Sequence, residues 1–314
     1  MDAVPVVDIS NPSATSLAAL DRACRDHGFF LLEGHGLDAV IEHTWAECAR
    51  FFDADRSVRL AIERDADNPL GWFDRELTKR KRDHKEVFDF VDPVAPGRSE
   101  VNRWPELEGF QDSMIRFFDA FSELADRTLG LLHDTLELGP ESRAKMMGDR
   151  RSSTVRLNHY PVGDPVPESE RDELVELGET ALGYHTDPGT LTLLLQDDTG
   201  GLQAESLSDG WIDVPPRAGT VVVNLADAVQ VWTNDRYRAA VHRVVPMTQQ
   251  RRFSIPYFSN PTRHAMVEPL PELLELPAKY RAFDWSDFMR ARTDDNFEDL
   301  GAADTQISDY LING

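Results

Sequence analysis

Two cysteines, Cys24 and Cys48, are all that the 314 residues contain. A disulfide framework or a thiolate-rich metal site cannot be built from so few, so any metal has to be held by histidine and carboxylate. No run approaches the roughly 20 consecutive apolar residues that a membrane-spanning helix needs. Met1 to Ser10 lacks the charged and apolar regions of a signal peptide, and a cytoplasmic location is expected. Basic charge is scarce: 33 Lys and Arg stand against 56 Asp and Glu, a net charge of −23. Such a surface repels phosphate backbones and acidic lipid, which argues against nucleic acid and membrane as partners. No repeat at the period of a solenoid is present. No Gly/Ser-rich or Pro-rich linker divides the chain, so one domain over 1–314 is expected, as a monomer or weak homo-oligomer.

What is present has two characters. From Leu37 the residues Val40, Ile41, Thr44, Trp45, Cys48, Phe51 and Phe52 recur at three- and four-residue spacing, which predicts an amphipathic helix. The same spacing from Phe110 through Phe117, Phe121 and Leu132 to Leu136 predicts a second, longer one, stopped by Gly139-Pro140. Residues 65–109 between them, rich in Asp, Arg, Lys and Pro, read as loops around a strand at Val87–Val91. After residue 150, short apolar runs such as Leu191 to Leu195, Thr220 to Asn224 and Phe253 to Phe258 alternate with Gly, Pro, Asn and Asp. That pattern predicts a sandwich or barrel. The tail from Pro277 to Leu311 reads as helical around Phe283, Trp285, Phe288 and Met289. The expected layout is a helix-rich part at 1–150, a β core at 151–262 and a C-terminal helical segment at 263–314.

The chemistry-bearing stretch is Gly183-Tyr184-His185-Thr186-Asp187-Pro188-Gly189. On an extended strand, residues two apart share a face, so His185 and Asp187 can offer an imidazole and a carboxylate to one point. His242, in Val241-His242-Arg243-Val244, is the best third ligand on another strand. Two His and one carboxylate on one face leave open positions, the arrangement of non-haem Fe(II) oxygenases. Arg252 and Ser254 share a strand face and make a fork plus a donor suited to a carboxylate. Asn158 and Tyr160 likewise share a face, with His159 turned the other way and therefore not a metal ligand.

Read together, these residues resemble the isopenicillin N synthase-like group of iron(II)- and 2-oxoglutarate-dependent oxygenases. The likeness includes Val4 to Ser10, Gly28-Phe29-Phe30 with His35-Gly36, Asp83-His84-Lys85-Glu86, Asn102-Arg103-Trp104-Pro105 and Gly200-Gly201-Leu202-Gln203. Its strongest part is the ordered series Asn158-x-Tyr160-Pro161, His185-x-Asp187, Asn224, Asp227, Thr233-Asn234, His242-Arg243-Val244 and Arg252-x-Ser254. The resemblance implies a mainly β fold, the double-stranded β-helix or jelly roll, with flanking helices. It implies His185, Asp187 and His242 as iron ligands and Arg252 with Ser254 as the clamp on the distal carboxylate of 2-oxoglutarate. Tyr160 and Asn158 then line the co-substrate pocket. Ala226 stands where a Gly before Asp227 is usual, and Asp235 where a Gly after Asn234 is common.

The activity so implied is that of a dioxygenase. Fe(II), 2-oxoglutarate and O2 oxidise a small molecule, hydroxylation being the commonest outcome, with release of succinate and CO2. Two alternatives stay open at this point: an isopenicillin N synthase-like oxidase that uses no 2-oxoglutarate, and a non-catalytic binding protein on the same fold. His35, in the His-Gly signature, is expected to be structural, and His84, His133 and His264 have no spaced partner. The run Lys79 to Arg82 is the one basic cluster and is expected to be a solvated loop, an attraction for an anionic substrate being its lesser reading.

Overall fold

Strand alternation turns apolar side chains to both faces of one large sheet, and a second, smaller sheet covers part of it. The computed structural model describes residues 4–65, 67–78, 80–95, 101–172, 174–206, 210–293 and 305–312. In chain order the strands are β1 (Val6–Asp8), β2 (Phe29–Glu33), β3 (Gly71–Phe73), β4 (Leu77–Thr78), β5 (Lys81–Arg82), β6 (Glu86–Val91), β7 (Thr154–Tyr160) and β8 (Leu182–His185). There follow β9 (Leu191–Gln196), β10 (Leu202–Ser206), β11 (Gly210–Asp213), β12 (Val221–Leu225), β13 (His242–Val244), β14 (Arg252–Ser259), β15 (Met266–Val267) and β16 (Phe283–Asp284). The α-helices are α1 (Ala14–Asp26), α2 (Asp38–Asp53), α3 (Arg56–Leu60), α4 (Phe110–Thr135), α5 (Pro140–Lys145), α6 (Asp227–Trp232) and α7 (Trp285–Thr293).

The eight-stranded sheet runs β1-β2-β12-β9-β14-β7-β6-β3, and the four-stranded sheet β11-β10-β13-β8. This is the jelly-roll core, with the N-terminal strands β1, β2, β3 and β6 built into its larger sheet. On β9, Leu191, Leu193 and Leu195 join the core shared with the helices, whereas Leu194 joins the cluster between the sheets. On β12, Val221 and Val223 face the helices and Val222 faces the second sheet in the same way. A strand buried on both faces reads as a continuous apolar run, which explains why these segments do not alternate in sequence. Helix α4 lays Met114, Phe117, Phe118, Phe121 and Leu124 into the outer core, Phe118 meeting Tyr257 edge-on at 5.3 Å between ring centroids.

The helices expected around 37–52 and 110–136 are α2 and α4. Residues 65–109 hold more than the one strand expected: β3, β4 and β5 accompany β6. Charged residues in and beside these strands, among them Glu76, Arg82, Asp83, Lys85 and Asp89, are buried and ion-paired, and this is why the segment reads as polar loop. In the tail, Phe283 belongs to a two-residue strand and the helix starts at Trp285. Both departures from the usual pattern are accommodated. Ala226 is extended at the start of α6, and Asp235 takes φ 68°, a left-handed turn position that Asp tolerates.

Candidate active site

A cavity of about 1230 Å3 lies where the inner faces of the two sheets meet. Strand β13 pairs with β8 so that His242 stands directly across from His185. Strand β8 ends at His185, and Asp187 lies just beyond it in a turn. One ligand atom from each of His185, Asp187 and His242 lies within 4.8 Å of the others, a group that could hold a metal ion. Asp187 Oδ1 is 3.6 Å from His185 Nε2 and 3.9 Å from His242 Nε2.

The surroundings prepare each of these atoms. His185 Nδ1 donates to the Gly183 carbonyl at 2.8 Å and His242 Nδ1 to the Ala240 carbonyl at 3.0 Å. Each ring's proton is thereby placed on Nδ1, leaving the Nε2 lone pair turned to the site. Asp187 Oδ2 accepts from Thr192 Oγ1 and from Asn224 Nδ2 at 2.8 Å, which leaves Oδ1 facing the two imidazoles. Burial opposes the Asp187 charge, but His242 and His185 outweigh it and hold the carboxyl below its ordinary value. Burial, and then His242, push His185 down to about 3, so the ring is neutral and able to ligate. Gly189 lets the turn lie against the end of β14, because a Cβ there would sit 2.2 Å from Asn260 Oδ1.

Deeper in the cavity, β14 and β7 run antiparallel with Arg252 opposite Tyr160 and Ser254 opposite Asn158. Arg252 is fully buried, yet its Nε, Nη1 and Nη2 have no hydrogen-bond partner among the described residues. Its guanidinium carbon lies 5.0 Å from the Tyr160 ring centroid. Ser254 Oγ accepts from Asn158 Nδ2 at 3.2 Å, which leaves its hydroxyl proton free to point into the cavity. An unpaired buried cation is costly, and an anionic group such as a carboxylate would compensate it.

The sequence matches the 2OG-Fe(II) oxygenase superfamily over residues 151–261 and the N-terminal region described as non-haem dioxygenase in morphine synthesis over residues 4–107. Gibberellin 3-beta-dioxygenase 2-2 of Triticum aestivum is 33% identical over 308 residues, covering 93% of this chain and 79% of that protein. The chain belongs to the 2OG-Fe(II) oxygenase superfamily. Feruloyl CoA ortho-hydroxylase 1 of Arabidopsis thaliana is 30% identical, with 92% and 79% covered. A full-length Neurospora crassa protein, solved in complex with alpha-KG, superposes with a TM-score of 0.76 at 27% identity, covering 90% of this chain and 94% of that one. The rice dioxygenase for auxin oxidation, at 24% identity and a TM-score of 0.77 over 98% of this chain and 99% of its own, shows the same fold. This oxygenase is thus an oxidoreductase that uses Fe(II), 2-oxoglutarate and O2 to oxidise a small molecule.

Other residues of the oxygenase fall where alternation puts them. His159 faces away from the cavity, its Nδ1 2.7 Å from Glu86 Oε1 and its ring stacked on Phe253 at 4.9 Å. His35 accepts from the Leu37 N–H at 3.0 Å and lies 3.2 Å from the Gly219 carbonyl, a structural turn. Arg82 of the basic run is buried and forked onto Asp164 at 3.0 and 2.8 Å, and Lys81 pairs with Glu176. These two basic residues are thus paired with acids of the same chain, and Lys79 lies outside the described residues. No described helix is long and apolar enough to cross a membrane.

Sequence reasoning gave no role to the cavity's side wall. Glu76 receives Arg64 at 2.8 Å, Arg156 at 2.8 Å and Lys85 at 3.0 Å, while Lys85 also meets Asp83 at 3.0 Å and Arg156 meets Asp89 at 2.7 Å. Three cations therefore face three carboxylates. Burial opposes both charges, but Arg156, Lys85 and Arg64 hold Glu76 well below the carboxylate range, and Asp83 with Glu76 pushes Lys85 up to about 12. The one signal was Arg156, two residues from Asn158 and on the same inward face of β7.

Proposed function

We propose that His185, Asp187 and His242 are the iron ligands, and that Arg252 with Ser254 grips the distal carboxylate of 2-oxoglutarate between Tyr160 and Asn158. The observation that carries this is Arg252: a fully buried guanidinium with no partner among the described residues, on the same cavity as three converging ligand atoms. The donor set fits Fe(II), with two imidazoles and one carboxylate on one side and the other side open. Once bound, the metal supplies the oxidation in which 2-oxoglutarate and O2 become succinate and CO2 as a substrate C–H is hydroxylated.

The chain's own work is placement. Thr192 and Asn224 fix which Asp187 oxygen points to the metal, and Gly183 and Ala240 fix the imidazole tautomers. Leu194, Leu202 and Val244 make part of the cavity wall apolar, which keeps water away from the co-substrate. The primary substrate is assigned to the part of the cavity walled by Pro188, Phe258, Met289, Thr154 and Arg156.

We further propose that residues 1–314 act as a single oxygenase domain, with the helix-rich part at 1–150 contributing strands to the 151–262 core and 263–314 closing its end. The pairing of β12 with both β2 and β9 supports this. A monomer or weak homo-oligomer in the cytoplasm, with no nucleic-acid or membrane partner, suits the charge of −23 and two buried, unpaired cysteines.

The test is anaerobic Fe(II) titration with a succinate-to-O2 ratio in turnover. Wild type is expected to bind one Fe(II) and to form one succinate per O2. His242→Ala abolishes stoichiometric binding, while His159→Gln leaves it unchanged. Full iron affinity in His242→Ala would remove it from the ligand set. Turnover without succinate would point to the oxidase chemistry instead.

A further inference from the structure

Five consecutive carbonyls of the turn that carries Asp187 are each taken up. Thr186 O accepts from Arg292 Nη2 at 2.7 Å and Pro188 O from the Trp285 indole at 3.0 Å. Asp187 O, Gly189 O and Thr190 O accept from the backbone N–H groups of Asp227, Ala228 and Ala226 at 2.8, 3.1 and 3.0 Å. The last three donors come from the start of α6, which the jelly roll itself supplies. The first two come from α7, in the segment that follows the core.

Of the two α7 donors, Arg292 is the better connected. Its side chain is 8% exposed, its Nη1 donates to Gln306 Oε1 at 2.8 Å, and the same nitrogen faces Asp227 Oδ2 at 3.6 Å. One guanidinium therefore joins the peptide between His185 and Asp187, the first residue of α6 and the chain at 306. Arg292, Met289 and Gln306 also line the cavity.

We propose that Arg292 is a positioning residue for the iron centre: by holding the Thr186 carbonyl it fixes the peptide that joins two of the three ligands. The C-terminal segment then sets the geometry of the metal site together with the jelly roll. The inference rests on the reading of His185, Asp187 and His242 as ligands. A charge-assisted hydrogen bond is roughly twice as strong as a neutral one, so this carbonyl is among the most firmly held in the turn. Thr192 and Asn224 hold the Asp187 side chain independently, so losing Arg292 detunes the site rather than abolishing it.

The experiment uses the full chain without O2, titrated with Fe(II) and then with 2-oxoglutarate. It reads iron affinity and the visible charge-transfer band that a 2-oxo acid gives on Fe(II). Arg292→Ala is expected to weaken iron binding by about 10- to 100-fold, the usual effect of losing a group that supports a metal ligand, and to shift or broaden the band. Arg292→Lys keeps the cation and recovers part of the affinity. The double variant Arg292→Ala/Asp227→Asn removes the carboxylate left without its cation; its unfolding midpoint returns toward wild type while its iron affinity stays low. Wild-type affinity and band in Arg292→Ala overturn the proposal. So does full recovery of affinity in the double variant, which would make Arg292 a mere counter-charge for Asp227. Should Arg292→Ala fail to fold, Arg292→Lys and the double variant carry the same comparison. A wild type that binds no Fe(II) removes the ligand assignment itself, whereas a wild type that binds it with Arg292→Ala unaltered removes this inference alone.

Discussion

Arg252 on β14 and Arg156 on β7 turn into the same cavity, and both are cations largely taken out of water, yet the protein treats them in opposite ways. Arg156 is forked onto Asp89 and Glu76, with Lys85 and Arg64 sharing the same acids. Arg252 has neither acid nor carbonyl against it among the described residues. Both arrangements are expensive, since each charge brought out of water costs several kcal/mol. In the first the chain supplies the compensation itself, so the charges belong to the wall. In the second no compensation comes from the described residues, which is what the proposed carboxylate clamp requires. Being buried does not distinguish a binding cation from a structural one; the presence or absence of a partner does.

The sharpest way to break this contrast is to remove the acid at the centre of the paired wall. Glu76→Ala takes a shared acid from three cations, leaving Asp89 for Arg156 and Arg64 and Asp83 for Lys85, and is expected to cost about 3 to 5 kcal/mol or to prevent folding, as read by urea unfolding. Arg252→Ala is expected to do the reverse, leaving stability without ligand unchanged or higher. Its 2-oxoglutarate affinity should fall at least ~100-fold, roughly 3 kcal/mol at 1.4 kcal/mol per tenfold. If Arg252→Ala costs as much stability as Glu76→Ala, the contrast fails. Ser254→Ala removes one neutral donor from the clamp, for about 0.5 to 1.5 kcal/mol of 2-oxoglutarate affinity. Arg251, on the opposite strand face, pairs with Asp53 at the surface, and Arg251→Ala should change stability by at most about 1 kcal/mol and co-substrate affinity hardly at all.

The last comparison concerns a control remote from the cavity. Burial, and then Arg143, push buried His133 on α4 down to about 4, so it is folded neutral and takes up a proton more readily when unfolded. Its share of stability is complete above its ordinary value near 6.5 and is lost as pH falls toward 4. His133→Leu should flatten the stability profile in that window without changing iron or 2-oxoglutarate binding.

Much of the site could be read from the chain because its chemistry is local. His185 and Asp187 lie two apart, as do Arg252 and Ser254, and strand alternation puts the second pair on one face of β14. The geometry that makes Asp187 converge was not legible, since it sits past the end of β8 in a turn whose carbonyls are held from residues 226–228, 285 and 292. The paired wall was illegible for a related reason. Arg64, Glu76, Lys85, Asp89 and Arg156 come from separate segments, and a polar stretch reads as loop until its partners are known. Helix α1 escaped because its buried positions are Leu20, Ala23 and Cys24, too few and too small to draw a stripe.

The order of strands in the large sheet differs from the order in which a ribosome makes them. Val6–Asp8 can pair with Leu31–Glu33 early, but the other edge of β2 waits for β12, where Phe30 meets Val223. Some 190 residues separate these partners, and at about 5 to 20 residues per second that is a delay of roughly 10 to 40 s. Throughout it the nascent chain presents Phe29-Phe30-Leu31-Leu32 as an open, apolar strand edge. Chaperone dependence during synthesis should therefore concentrate on this early segment, far in sequence from the residues that carry the chemistry.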